Sequence, residues 1–66
     1  MDYYFTLQIL IIDFDTERVV GGQAIPLGTE GDTYEDARAK ALEYGQSVLR
    51  GYDEKGEYAL MRLMNA

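Results

Sequence analysis

The chain has no cysteine and no histidine among its 66 residues. It therefore cannot form a disulfide or the thiolate and imidazole zinc sites that stabilise many small domains. Catalytic chemistry is restricted as well, because general-base and nucleophile roles fall to carboxylates, lysine, tyrosine and hydroxyl groups. The only serine, Ser47, has no activating base implied by its neighbours. We therefore expect a non-enzymatic protein with no metal site and no cofactor.

Basic residues are also scarce. Six lysine and arginine residues stand against twelve aspartate and glutamate residues, which gives a net charge of −6. Such a chain lacks the basic surface with which proteins neutralise nucleic-acid phosphates or anionic lipid headgroups. Its charge suits steering towards a basic protein partner, although acidity can also serve solubility alone. We expect a basic protein partner and no direct contact with nucleic acid or membrane.

No apolar run is long enough to span a bilayer, and the N-terminal run begins with Asp2 rather than with a basic targeting region. The expected location is cytoplasmic. We expect one domain, 1–66, in which about 60% of the unfolded chain's surface can be buried. A core of this size is marginal, so stability must come from an idealised core or from self-association.

The stretch Tyr3–Ile12 has the clearest pattern in the chain. Its odd positions are all apolar, whereas its even positions are polar in the middle and apolar at the ends. Alternation with one wholly apolar side predicts a strand lying on a core. Val19–Ile25 predicts a second strand, joined to the first as an antiparallel hairpin by a polar turn at 13–18. Gly21-Gly22 indicates a bulge or a close backbone approach, and Pro26 ends this strand or lies on a sheet edge.

A helix is predicted after the loop 27–31. Thr33 can cap it, or Asp32 one residue earlier, and Gly51 can close it. Three small residues spaced four apart form a stripe that allows close approach to the sheet: Ala37, Ala41 and Gly45. A turn at 53–56 then leads to a third strand at 57–64.

The element order predicts an α+β domain of ββαβ type. Its three-stranded antiparallel sheet has the order 2-1-3, with one helix packed on one face. The first strand is then the middle one, and its even side faces away from the helix. This uncovered side carries Tyr4, Leu10 and Ile12, and it is either a partly wet face or a dimer interface.

The first turn has the spacing D-x-D-x-E at Asp13, Asp15 and Glu17, which resembles the start of a calcium loop. The pattern then fails, since Arg18 stands where glycine is needed and Ala24 where glutamate is needed. A hairpin turn is the better interpretation.

Carboxylates form three clusters along the chain. The predicted topology brings the first turn and the last turn to one end of the domain and puts the helix start at the other. The acids of the two turns are the primary candidates for binding a basic partner: Asp13, Asp15, Glu17, Asp53, Glu54 and Glu57. The helix-start acids are secondary candidates: Glu30, Asp32, Glu35 and Asp36. The alternative is that these acids bind no partner: the acids of the turns form a solvated rim, and the acids at the helix start form an ordinary helix cap.

The segment 31–41, which begins Gly31-Asp32-Thr33, resembles the G-D-T-x-E-E-A segment that opens the helix of HicB-type antitoxins. Those proteins place this helix after antiparallel strands and inhibit a small basic RNA-cleaving toxin. The resemblance implies a related architecture and an antitoxin role as one alternative.

A small, acidic, cysteine-free αβ chain also resembles, as a class and without a shared motif, the phage-encoded inhibitors of host defence. Anti-CRISPR proteins are among them, and several occupy basic nucleic-acid channels with carboxylates in place of phosphates. This resemblance implies an inhibitor of a CRISPR effector, acting in the host cytoplasm if the chain is phage-encoded. A self-associating accessory protein is the remaining alternative.

Overall fold

A computed structural model describes all 66 residues. The elements are β1 (Asp2–Asp13), β2 (Arg18–Glu30), α1 (Tyr34–Glu54) and β3 (Tyr58–Asn65). The three strands form one antiparallel sheet in the order β2-β1-β3, and α1 packs on one of its faces. The predicted ββαβ fold and the central place of the first strand are confirmed.

β1 is central because it carries the apolar alternation. Its Phe5, Leu7 and Ile9 are buried side chains, exposed by 1% or less. Successive side chains of a strand point to opposite faces. The odd positions of β1 therefore meet α1, and the even positions face away from it.

β2 is longer than the sequence predicts. The expected loop at 27–31 is wrong, since β2 continues to Glu30 and pairs with β1 as far as Asp2. Pro26 is accommodated because β2 is an edge strand, where amide groups pointing away from β1 have no partner in any case. The bulge lies one residue before the predicted Gly21-Gly22, because the register shifts between Ile11 and Ile12 and leaves Val20 without a counterpart. Gly22 makes the close backbone approach instead, since an added Cβ would overlap the Ile9 carbonyl oxygen.

The start of α1 follows the sequence. Thr33 is the N-cap, and its hydroxyl accepts a hydrogen bond from the Asp36 amide at 3.2 Å. The predicted end at Gly51 is wrong, because α1 runs one turn further, to Glu54. That extra turn carries Tyr52 to the sheet, where Gln23 Nε2 donates to its hydroxyl at 2.8 Å.

The core is small. Its buried apolar side chains are Phe5, Leu7, Ile9, Ala37 and Ala41. Gly45 is buried as well, so the predicted small-residue stripe faces the sheet throughout. The helix approaches so closely that a Cβ on Gly45 would overlap the Met61 sulfur.

Candidate interaction surfaces

The hairpin tip and the helix C-terminus lie at the same end of the molecule. β1 ends at Asp13, and β3 begins at Tyr58, which pairs with Ile12. Glu57, the residue before β3, therefore lies at the level of Asp13 on the neighbouring strand β1. α1 ends at Glu54, three residues before Glu57. We call this the acidic end, defined by Asp13, Asp15, Glu17, Asp53, Glu54 and Glu57.

The hairpin tip is held by hydrogen bonds within the turn. Asp13 Oδ1 accepts from the Asp15 amide at 2.9 Å, and the Asp13 carbonyl accepts from the Glu17 amide at 2.7 Å. These two bonds explain the spacing of the acids as turn chemistry, as the hairpin interpretation predicts. Asp13 is half-buried, whereas Asp15 and Glu17 are exposed. The tip therefore presents two carboxylates to solvent on an ordered turn.

An aromatic pair lies among these acids. The rings of Phe14 and Tyr58 have centroids 4.7 Å apart and are tilted by 36°. Phe14 is nevertheless 74% exposed and Tyr58 is 42% exposed. An open cavity of about 290 Å³ is lined by Tyr58 together with residues that include Arg50, Asp53 and Glu57.

Sequence reasoning placed Phe14 among the acids but missed its contact with Tyr58. The signal was available: once β3 pairs antiparallel with β1, Tyr58 must begin its strand where β1 ends. The Tyr52 hydroxyl accepts a hydrogen bond from Gln23 Nε2 on the helix side of the sheet, and Lys55 Nζ lies 5.8 Å from the Tyr52 ring centroid.

The helix-start acids lie at the opposite end of α1. Glu35 and Asp36 occupy the first turn, where carboxylates favour the positive end of the helix dipole. Asp32 and Glu30 line an open cavity of about 380 Å³ beside them. Lys40 Nζ donates to the Glu30 carbonyl at 2.6 Å, so the positive charge of Lys40 lies beside these carboxylates.

The second surface is the side of the sheet that α1 leaves uncovered. Residues directly opposite in an antiparallel pair share a face. Leu10 pairs with Leu60, and Ile12 pairs with Tyr58. We call this side the outer face, and its members on β1 and β3 are Tyr4, Thr6, Gln8, Leu10, Ile12, Tyr58, Leu60, Arg62 and Met64. Tyr4 is 65% exposed and Leu60 is 45% exposed.

No group of three or more carboxylates in the structure could hold a metal ion. No helix combines the length and the apolar composition that crossing a bilayer requires. No protein-family model, curated protein or solved structure matches the chain.

Proposed function

We propose that the chain is a non-enzymatic inhibitor that binds a basic, nucleic-acid-handling protein through its acidic end. One observation carries the proposal: an exposed aromatic ring, Phe14, packs against Tyr58 at the end of the molecule that carries the six carboxylates. Strong interfaces commonly combine a central aromatic anchor with charged groups at the rim. The acidic end has that composition on an ordered turn.

Charge defines the class of partner. A groove that binds nucleic acid uses lysine and arginine to contact phosphates. Carboxylates at the hairpin tip and the last turn suit the same cations, and the ring of Phe14 suits stacking against arginine or an apolar wall. A CRISPR effector subunit is the concrete partner we propose, with the chain blocking nucleic-acid binding in the host cytoplasm.

The test compares two variants with equal changes of charge. The first converts Asp15, Glu17, Glu54 and Glu57 to their amides and retains Asp13, whose carboxylate holds the turn. The control converts the four helix-start acids to amides: Glu30, Asp32, Glu35 and Asp36. Each variant removes four negative charges, so the two variants have the same net charge.

We expect the acidic-end variant to bind a captured effector subunit at least about tenfold more weakly, since losing several charge-assisted contacts costs more than 1.4 kcal/mol. The control should lose less than about threefold, through long-range steering alone. Binding should also weaken from about 0.1 M to about 1 M salt, as the screening length falls from about 10 Å to about 3 Å. Equal losses in both variants, or none in either, would contradict the proposal.

Phe14 offers a second, independent measurement. Because the ring is 74% exposed, Phe14→Ala should leave the fold intact while weakening partner binding by at least about tenfold. Tyr44→Ala on the helix, a 44% exposed ring away from the acidic end, is the matched control and should bind as the parent does.

The antitoxin alternative is favoured by one feature. The segment 31–41 opens the helix directly after two antiparallel strands, as the resemblance to HicB-type antitoxins implies. Gly31 is buried there, and a Cβ on it would lie 2.7 Å from the Ala37 nitrogen. Packing and capping therefore account for Gly31 and Thr33 without a toxin. Growth rescue of cells expressing a small RNA-cleaving toxin, without capture of any CRISPR subunit, would favour this alternative.

A further inference from the structure

We infer that the outer face is the interface of a homodimer whose formation completes the folded core. Tyr58 belongs both to this face and to the aromatic pair at the acidic end, whereas the carboxylates of the acidic end take no part in the interface. The occupant is a second copy of this chain, lying sheet against sheet.

The composition of the outer face departs from that of the whole chain. Twelve carboxylates are present in 66 residues, yet none lies on this face between the rows of Tyr4 and Ile12. Its one charged side chain there is Arg62, directly opposite Gln8. Leu10, Ile12, Tyr58 and Leu60 form two adjacent apolar rows beside it.

β2 leaves these rows accessible. The residues opposite Leu10, Gln8, Thr6 and Tyr4 are Gly22, Ala24, Pro26 and Gly28. Their side chains are small or absent, so β2 places no bulky side chain on the outer face between the rows of Leu10 and Tyr4. The Tyr4 ring lies against Gly28, and Val19 is opposite Ile12. The outer face is therefore shaped for packing against another sheet rather than against water.

The exposed area of the chain is larger than that expected for a monomer of its mass, which supports a second layer packed on the outer face. The chain exposes 4800 Å², whereas a 7.5 kDa monomer is expected to expose about 4,250 Å². The excess is about 550 Å². β1 and β2 are about 40 Å long and β3 is about 27 Å long, so strands about 4.8 Å apart give the outer face a projected area of about 500 Å². Two copies would bury about 1,000 Å² together, the lower limit for a specific interface.

Folding itself favours a second copy over another partner. Five buried apolar side chains make a core that is marginal on its own. Covering the outer face would enlarge this core, and a second copy of the chain carries the same apolar rows and is present wherever the chain is. In such an arrangement dimerisation and folding are one equilibrium.

The first measurement uses the unmodified chain. Sedimentation equilibrium should give twice the monomer mass of 7.5 kDa at high concentration, with dissociation on dilution between about 1 mM and about 1 μM. The thermal midpoint should rise with concentration over the same range. A monomer at 1 mM with a concentration-independent midpoint, or open-ended association beyond two copies, would overturn the inference.

The second measurement uses two matched substitutions. Leu60→Lys places a charge on the outer face, whereas Tyr44→Lys places one on the helix surface. The two parent side chains are 45% and 44% exposed. Leu60→Lys should weaken the dimer at least about tenfold because the charge would be desolvated in the interface, and Tyr44→Lys should leave it unchanged. Equal effects would contradict the inference, and if Leu60→Lys does not fold, the concentration series on the parent chain decides.

Salt separates this inference from the proposed function. Two copies carry −6 each, so raising the salt concentration screens their repulsion and should strengthen the dimer. Binding of a basic partner at the acidic end should weaken over the same range. If salt does not strengthen the dimer but still weakens partner binding, the dimer proposal has failed. If salt strengthens the dimer but does not weaken partner binding, the proposed function has failed.

Discussion

The backbone of Glu17 lies in the left-handed region, with φ 55°, at the last position of the hairpin tip. This conformation costs an L-residue about 1–2 kcal/mol. It returns the chain to β2 directly after the Glu17 amide has closed the turn by donating to the Asp13 carbonyl at 2.7 Å. The turn that presents the exposed acids therefore contains a strained residue, Glu17, whose conformation is maintained by the strands on either side of the turn.

Glu17→Gly should stabilise the chain by about 0.5–1 kcal/mol, because relief of the left-handed conformation exceeds the entropy that glycine loses on folding. Thr16→Gly has no such relief, since Thr16 does not have positive φ, and it should destabilise by about 0.5–1 kcal/mol. Glu17→Gln controls for the lost charge and should change stability little. Urea unfolding midpoints measure all three, and the same sign for both glycine variants would refute the explanation.

At the scale of elements, α1 contains two glycines in contrasting places. Gly45 faces the sheet, where an added Cβ would overlap the Met61 sulfur and lie 3.1 Å from Leu7 Cδ1. Gly51 has nothing within 4 Å of an added Cβ. The first glycine sets the helix-to-sheet distance, whereas the second has no packing role.

Gly51→Ala should stabilise the chain by about 1 kcal/mol through helix propensity alone, which corresponds to a thermal midpoint about 4–8 °C higher. Gly45→Ala has the same propensity gain, but overpacking costs about 1–3 kcal/mol. It should therefore be neutral to destabilising. Thermal melts of the two variants at one protein concentration test the contrast, and an equal gain in both would show that the close approach at Gly45 is not tight.

The boundaries that sequence reasoning missed have a common cause. Leu27–Gly31 contains two glycines and follows a proline, so its local preferences indicate a loop. Hydrogen bonds to β1 override that preference as far as Glu30. Gly51 likewise predicts a helix end. α1 nevertheless continues to Glu54, and the added turn contacts the sheet through the hydrogen bond between Tyr52 and Gln23. Both corrections come from partners that are distant in sequence.

On the scale of the whole molecule, stability is concentrated along β1. β1 pairs with β2 over its full length and with β3 from Phe5 to Ile12. β2 and β3 each have one unpaired edge, and the bulge at Val20 interrupts pairing near the hairpin tip. The molecule extends 43 × 20 × 14 Å, so the hairpin tip lies far from the centre of the core.

Amide hydrogen exchange should follow this distribution. The amides of Leu7 and Ile9 should exchange only by global unfolding, and those of Val20 and Thr16 by local opening. A marginal domain of about 3–5 kcal/mol then gives a difference in exchange rate of about two to four orders of magnitude between the two groups. NMR-detected exchange measures it, and uniform protection along the chain would contradict a core centred on β1.

The sequence by itself determined the central strand, the small-residue stripe of the helix and the grouping of the acids. Alternation with period two and small residues spaced four apart are local consequences of placing apolar groups away from water. Only the tertiary structure decided where β2 and α1 end, which ring stacks on Phe14 and how much of the outer face is exposed. Those features depend on pairing between residues distant in the chain, and local preference does not specify that pairing.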